Sequence, residues 1–202
     1  MIIKELRQTS AERFVITFHD GSELKTTLAV VTDFYLRTGL ELDEAKYREV
    51  FNASTLSLCK ARALRMINAR AMSQKEMRDK LVEKGESPEN AEFCAAWLCE
   101  MGLINDELYA GMVVRYYAAK GYGAGRIKQE LRRHGVPNEY WEDALSEIPD
   151  ADEKLARFIS SRLTDPHDRA QIQKISNALY RRGYSWEQIK HAMNEFSSEE
   201  DM

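Results

Sequence analysis

One pattern recurs three times along this chain. An apolar residue, a leucine four positions on and a glycine four beyond it stand at Met77-xxx-Leu81-xxx-Gly85, Ile127-xxx-Leu131-xxx-Gly135 and Ile175-xxx-Leu179-xxx-Gly183. Four residues past each glycine comes a glutamate: Glu89, Glu139 and Glu187. Small or apolar residues follow at matching positions: Ala91, Cys94, Ala95 and Leu98, then Trp141, Ala144, Leu145 and Ile148, then Ile189, Ala192, Met193 and Phe196. These spacings trace one helical face, and the glycines sit where helices commonly stop in a left-handed residue. The copies lie fifty and forty-eight residues apart. A face copied in this way is buried by stacking like units. The expected fold is therefore mainly α, with tandem three-helix repeats in an elongated array.

Start and stop signals divide the chain. Ser87-Pro88-Glu89 and Ser185-Trp186-Glu187 read as N-caps with an early acid, and Pro137 suits a first helical position. The first unit is 55–103, with helices near 55–71, 74–84 and 88–101. The second is 104–149, with helices near 106–119, 124–134 and 138–147. The third is 150–197, with a changed first loop at Thr164-Asp165-Pro166, and 198–202 forms an acidic tail.

Residues 1–54 differ in kind. Phe14, Ile16 and Phe18 alternate with other residues, Asp20-Gly21 marks a turn, and Leu24, Thr26 and Leu28 alternate on the way back. This predicts a small N-terminal β-hairpin element, as a hairpin or a three-stranded ribbon. A short helix over 30–37, stopped by Gly39, and a helix capped by Asp43 link it to the first unit. Asn52-Ala53-Ser54 leaves open whether that helix breaks or runs on.

Of the 202 residues, 44% are hydrophobic, enough for a core. No run approaches the roughly 18 apolar residues of a membrane span, and Met1-Ile2-Ile3-Lys4-Glu5 lacks the order of a secretion signal. A cytoplasmic chain without membrane association is expected. Three cysteines cannot pair completely, and Cys94 and Cys99 lack the spacing of a zinc or redox motif. They read as inert thiols.

Candidate chemistry is sparse. His19-Asp20 and His167-Asp168 have the dipeptide of a metal phosphodiesterase, but Asp20 belongs to a turn and Asp168 to a helix start. The Gly121, Gly123, Gly125 cluster follows a helix and lacks the Gly-Lys-Ser/Thr ending of a P-loop, so it reads as loop geometry. No nucleophile elbow and no His-Glu-x-x-His occurs. The expectation is no enzyme, no cofactor and no metal. Trp97, Trp141 and Trp186 read as packing residues, whereas Tyr116, Tyr117 and Tyr122, among Arg115, Lys120 and Arg126, fit either packing or stacking on nucleic acid.

The cations remain. Net charge is −4, yet Cys59 to Gly85 holds eight Lys/Arg against three acids, and Ile104 to Gly135 holds six against three. A polyanion responds to such local asymmetry. At about 100° per residue, Arg126 and Arg133 fall on one flank of the Ile127/Leu131 stripe, with Lys128 and Arg132 on the other. The first flank carries Lys174 and Arg181 in the third unit but Glu76 and Glu83 in the first, whose positive charge lies earlier, at Lys60, Arg62, Arg65 and Arg70. Regular stacking would join the second and third units in one cationic stripe facing a polyanion or an acidic groove. The candidate contacts are Arg62, Arg65, Arg70, Arg115, Lys120, Arg126, Lys128, Arg132, Arg133, Lys174 and Arg181.

Three stretches, in order and with matching gaps, resemble the RecX family, bacterial regulators of RecA. They are Ser73-Gln74-Lys75-Glu76-Met77 through Leu81 to Gly85, Leu103-Ile104-Asn105-Asp106-Glu107-Leu108-Tyr109-Ala110, and Gly121-Tyr122-Gly123 leading to Arg126-Ile127 and Leu131-xxx-Gly135. The resemblance covers about 55–197. It implies an array of three-helix repeats bound in the groove of the RecA–DNA filament, restraining its growth and so its recombinase, ATPase and LexA-coprotease activities. It implies no catalytic site. Gly121, Gly123, Arg126, Ile127, Leu131 and Gly135 match the family's loop–helix motif, with Arg126 as the contact. Ala124-Gly125 stands where family members often have proline.

The expected function is regulation of the RecA filament by a monomer in DNA repair, homologous recombination and the SOS response. Direct binding of single- or double-stranded nucleic acid is the alternative. A helical-repeat adaptor for acidic proteins is the third reading.

Overall fold

The computed structural model describes residues 1–148, 151–165 and 167–200. The chain forms two compact units, Met1–Ile104 and one from Asn105 onward.

The first unit opens with an antiparallel sheet of three strands in order β1 (Ile3–Ser10), β2 (Arg13–Phe18) and β3 (Glu23–Thr27). The predicted hairpin is the β2–β3 pair, with Ile16 opposite Leu24; β1 adds a third strand, with Ile3 opposite Phe18. Gly21 takes φ +84 in the turn, and Asp20 Oδ1 accepts from Ser22 N at 3.0 Å. Leu28 departs from the expected alternation. It begins α1 (Leu28–Asp33) and is 45% exposed.

Helix α2 runs unbroken over Glu44–Ala69, capped by Asp43, whose side chain accepts from Lys46 N. It passes straight through Asn52-Ala53-Ser54 and across the expected boundary at 54/55. The reason is tertiary. Ser54 is fully buried, and its hydroxyl meets the buried Thr26 hydroxyl at 2.8 Å, while Thr27 and Ser57 hydroxyls lie 2.6 Å apart. Two hydroxyl pairs thus bind the sheet to the middle of α2, satisfying groups that burial alone would leave unpaired.

Helices α3 (Gln74–Glu83) and α4 (Pro88–Glu100) complete the first repeat. In the second unit, α5 (Asp106–Ala119), α6 (Ala124–Arg133) and, after a 3₁₀ turn at Asn138–Tyr140, α7 (Trp141–Ser146) form the second. Helices α8 (Ala151–Ser160), α9 (Arg169–Arg181) and α10 (Trp186–Glu200) form the third.

The repeated stop is one structure made three times. Gly85, Gly135 and Gly183 have φ of +87, +69 and +91. Each glycine N–H bonds back to Val82, Arg132 or Tyr180, and the next residue's N–H reaches Leu81, Leu131 or Leu179. These are Schellman closures, in which glycine avoids the left-handed penalty. The predicted stripe is buried in every repeat: Met77 and Leu81, Ile127 and Leu131, Ile175 and Leu179 are at most 4% exposed. Trp97 and Trp141 pack against their repeats' cores. Trp186 does not. At the first turn of α10 it is 48% exposed and stacks on Tyr180, ring centroids 5.0 Å apart.

Candidate partner-binding surface

The Gly121–Gly125 loop was expected to serve turning. Only Gly121 needs φ > 0, at +77. Gly123 is required by close approach and Gly125 is tightly packed, because the loop is docked on the end of α9. Gly123 N donates to Arg182 O and Gly125 N to Gly183 O, both at 2.9 Å. A Cβ on Gly123 would lie 2.5 Å from Gly183 O, and one on Gly183 would lie 2.1 Å from Arg126 N. Tyr184 OH donates to Gly121 O at 3.3 Å. The second and third repeats thus meet backbone to backbone. The start of α6, which carries Arg126, is fixed by that contact.

Along α6 the Arg126/Arg133 flank holds a carboxylate between its cations. Glu130 is 3% exposed, its Oε1 2.8 Å from Arg126 Nη2 and its Oε2 2.7 Å from Arg133 Nη2. Arg133 Nη2 also donates to Tyr117 OH at 3.0 Å. Burial pushes the Glu130 carboxyl up, but the Tyr117 hydroxyl, Arg133 and Arg126 outweigh it and hold the group below its ordinary value. The arginine side chains remain 44% and 66% exposed, so their outer N–H groups still face solvent.

The remaining predicted cations divide by partner. Arg62 Nε lies 2.8 Å from Glu86 Oε1, Arg70 pairs with Glu76, and Arg115 Nη1 lies 2.7 Å from Glu147 Oε2. Lys120 sits 4.0 Å from the centre of the Tyr116 ring and Arg132 5.6 Å from that of Trp141. Arg65, Lys128, Lys174 and Arg181 are exposed and have no ion-pair partner among the described residues. They are the cations freest to meet an anion.

Sequence reasoning missed an apolar surface. On α5, Leu108, Met112 and Tyr116 are 66%, 50% and 56% exposed. They stand four apart, one stripe along the helix. Tyr109, Ala110, Val113 and Val114 on the same helix are buried, so α5 is apolar on two faces. The signal was present: between Leu108 and Ala119 only Arg115 is charged.

Glu130 was also overlooked, although the Arg-xxx-Glu-xx-Arg spacing displays the clamp. Among the described residues no three His, Cys, Asp or Glu side chains group to hold a metal, and no helix is long and apolar enough to cross a membrane. Asp168 caps α9, accepting from Ala170 N and Gln171 N. Cys59 and Cys94 are buried and Cys99 half-buried.

Fold and surface together define a tandem three-helix-repeat protein with an exposed apolar stripe flanked by cations. Family models agree: the first, second and third three-helix domains of RecX match residues 59–98, 105–145 and 159–193. Regulatory protein RecX of Chromohalobacter salexigens is 34% identical over 136 residues, 65% of this chain and 88% of that protein. Regulatory protein RecX of Caldanaerobacter subterraneus is 28% identical over 198 residues, covering 96% and 98%. A crystal structure of a regulatory protein RecX superposes with a TM-score of 0.71 at 25% identity, covering 96% of this chain and 98% of that one. That of RecX from Lactobacillus salivarius has a TM-score of 0.64 at 26% identity over 72% and 98%. The chain belongs to the RecX family.

Proposed function

We propose that this chain regulates RecA by binding the RecA–DNA filament in the cytoplasm and restraining its growth. Recombinase, ATPase and LexA-coprotease activities fall with the filament. Family membership supports the partner, since the relatives bear the name regulatory protein.

The observation that carries the reading is the α5 stripe. Phosphodiester offers nothing for Leu108 and Met112 to bury against, whereas a protein–DNA filament offers apolar protein surface beside phosphate. An exposed apolar stripe rimmed by Arg115 and Lys120 fits such a composite partner. The internal ion pairs of Arg62, Arg70, Arg115, Arg126 and Arg133 weaken the case for bare DNA, because part of their charge is already answered.

The test is binding to single-stranded DNA with and without assembled RecA and ATP, at moderate salt, while following ATP hydrolysis. Tight association with the filament alone, falling hydrolysis, and loss of both in Leu108→Asp/Met112→Asp are expected. Equal affinity for bare DNA with a steep salt dependence would instead support a nucleic-acid-binding protein. Binding to acidic proteins without DNA, together with no preference for the filament and unchanged hydrolysis, would support the adaptor.

A further inference from the structure

The three repeats carry one triad in three versions. The flank that reads Glu76, Lys80, Glu83 in the first repeat reads Arg126, Glu130, Arg133 in the second and Lys174, Ala178, Arg181 in the third. The third repeat keeps both cations and loses the carboxylate between them. It also adds a cation. Matching buried residues, Ala110, Val114 and Ala118 of α5 against Leu155 and Ile159 of α8 and Leu163 in the turn just past its end, sets Arg162 at the position of Tyr117.

A cleft of about 540 Å³ stands at this place. Its wall is apolar, from Phe158, Ile175 and Ala178, and its cations are Arg162, Lys174 and Arg181. The Arg162 guanidinium lies 3.9 Å from the Phe158 ring centre, and its Nη1 is held by Ser161 Oγ at 2.7 Å. Lys174 and Arg181 have no acid partner among the described residues. Gln171 Oε1 accepts from Thr164 N and Oγ1, at 3.1 and 3.2 Å, so the Gln171 group left over is its NH₂. Apart from the Thr164 hydroxyl oxygen, whose hydrogen goes to Gln171, the polar side-chain groups left to a ligand are thus donors.

We propose that this cleft receives a carboxylate side chain from an acidic segment of a protein partner, with a neighbouring apolar residue against Phe158 and Ile175. The internal precedent is Glu130, which fills the matching place in the second repeat between two cations and a third polar group. The incoming acid takes its role. An apolar wall favours peptide over phosphodiester, whose ribose and phosphate would bury little there. The inference goes beyond the filament reading and does not rest on it.

The test is fluorescence anisotropy of the full chain with a labelled peptide of alternating glutamate and leucine, in about 100 mM salt. Its glutamine counterpart and an oligothymidylate of equal charge serve as comparisons. Ala178→Glu supplies the missing carboxylate from within and is expected to weaken the acidic peptide at least about tenfold, the scale of one charge-assisted contact. Its unfolding midpoint should be unchanged or higher. Should Ala178→Glu not fold, Lys174→Ala/Arg181→Ala, which removes only exposed side chains, carries the same expectation. Peptide affinity unchanged in these variants, or equal for the glutamine peptide, overturns the proposal. So does oligothymidylate affinity that falls while peptide affinity holds, which assigns the cleft to phosphate. Neither RecA nor filament is present, so this result stands apart from that of the filament experiment.

Discussion

Gly85 and Gly183 hold the same place at the end of a repeat's second helix, with φ of +87 and +91. Their surroundings differ completely. A Cβ on Gly85 would meet nothing within 4 Å, whereas one on Gly183 would lie 2.1, 2.7 and 2.9 Å from Arg126 N, Cβ and Cα. Alanine at Gly85 therefore carries only the left-handed backbone penalty, about 1 to 2 kcal/mol. Alanine at Gly183 carries that penalty and also forces the start of α6 off the end of α9. That breaks the bonds from Gly123 N to Arg182 O and from Gly125 N to Gly183 O, each contributing about 1 kcal/mol net. The sum is about 3 to 4 kcal/mol, a large share of the stability of a unit this size. At about 4 to 8 °C per kcal/mol, Gly183→Ala should lower the melting transition of the second unit by well over 10 °C, against at most about half of that for Gly85→Ala in the first. Hydrogen exchange gives the local readout: the Gly123 and Gly125 amides should lose protection in Gly183→Ala and keep it in Gly85→Ala. Equal destabilisation by the two substitutions, with both amides still protected, would refute the backbone-contact reasoning.

Other outcomes follow from groups already described. Glu130→Gln should destabilise by about 1 to 3 kcal/mol at pH 7, since it leaves the clamp without its charge. Because the native Glu130 carboxyl titrates below its ordinary value of 4.5, its stabilisation is complete above that pH and lost as pH falls through the native value; the gap between wild type and Glu130→Gln should close over that range in acid denaturation. Ser54→Ala strands the buried Thr26 hydroxyl and should cost about 1 to 3 kcal/mol, while Thr26→Val/Ser54→Ala, which removes both partners, should recover most of it in a denaturant double-mutant cycle. The Cys59 thiol is pushed up by its hydrogen bond with Cys94 and by burial, so it should resist maleimide at pH 7 in the native chain and react once the chain is unfolded; prompt native labelling, located by mass spectrometry, would contradict its burial.

The repeat was legible because its signals are local. A leucine one turn before a glycine in a left-handed stop, and a serine before the next helix, specify chain reversal wherever they occur. Ser73, Ser87 and Asn105 cap their helices, accepting from Glu76 N, Asn90 N and Leu108 N. What could not be read depends on residues far away in sequence. Ser54 leaves the helix's continuation open until Thr26 is found opposite it, and Gly123 reads as loop geometry until Gly183 is found against it. In both cases tertiary contact overrides local propensity.

The site divides along the same line. Exposure of the cations was legible, but their availability was not, because ion pairs such as Arg62 with Glu86 and Arg115 with Glu147 cross between elements. Charge counting ranked Arg126 and Arg133 with Lys174 and Arg181, since all four stand on one flank. Position by position they differ, for Glu130 answers the first pair and Ala178 leaves the second unanswered. In a repeat protein the buried stripe is under the same packing demand in every copy and so reads alike. On the second helix of each repeat, the differences between copies stand on the flank beside that stripe. The place to look for what each repeat binds is therefore the triad beside the stripe, compared copy against copy, rather than the summed charge of the chain.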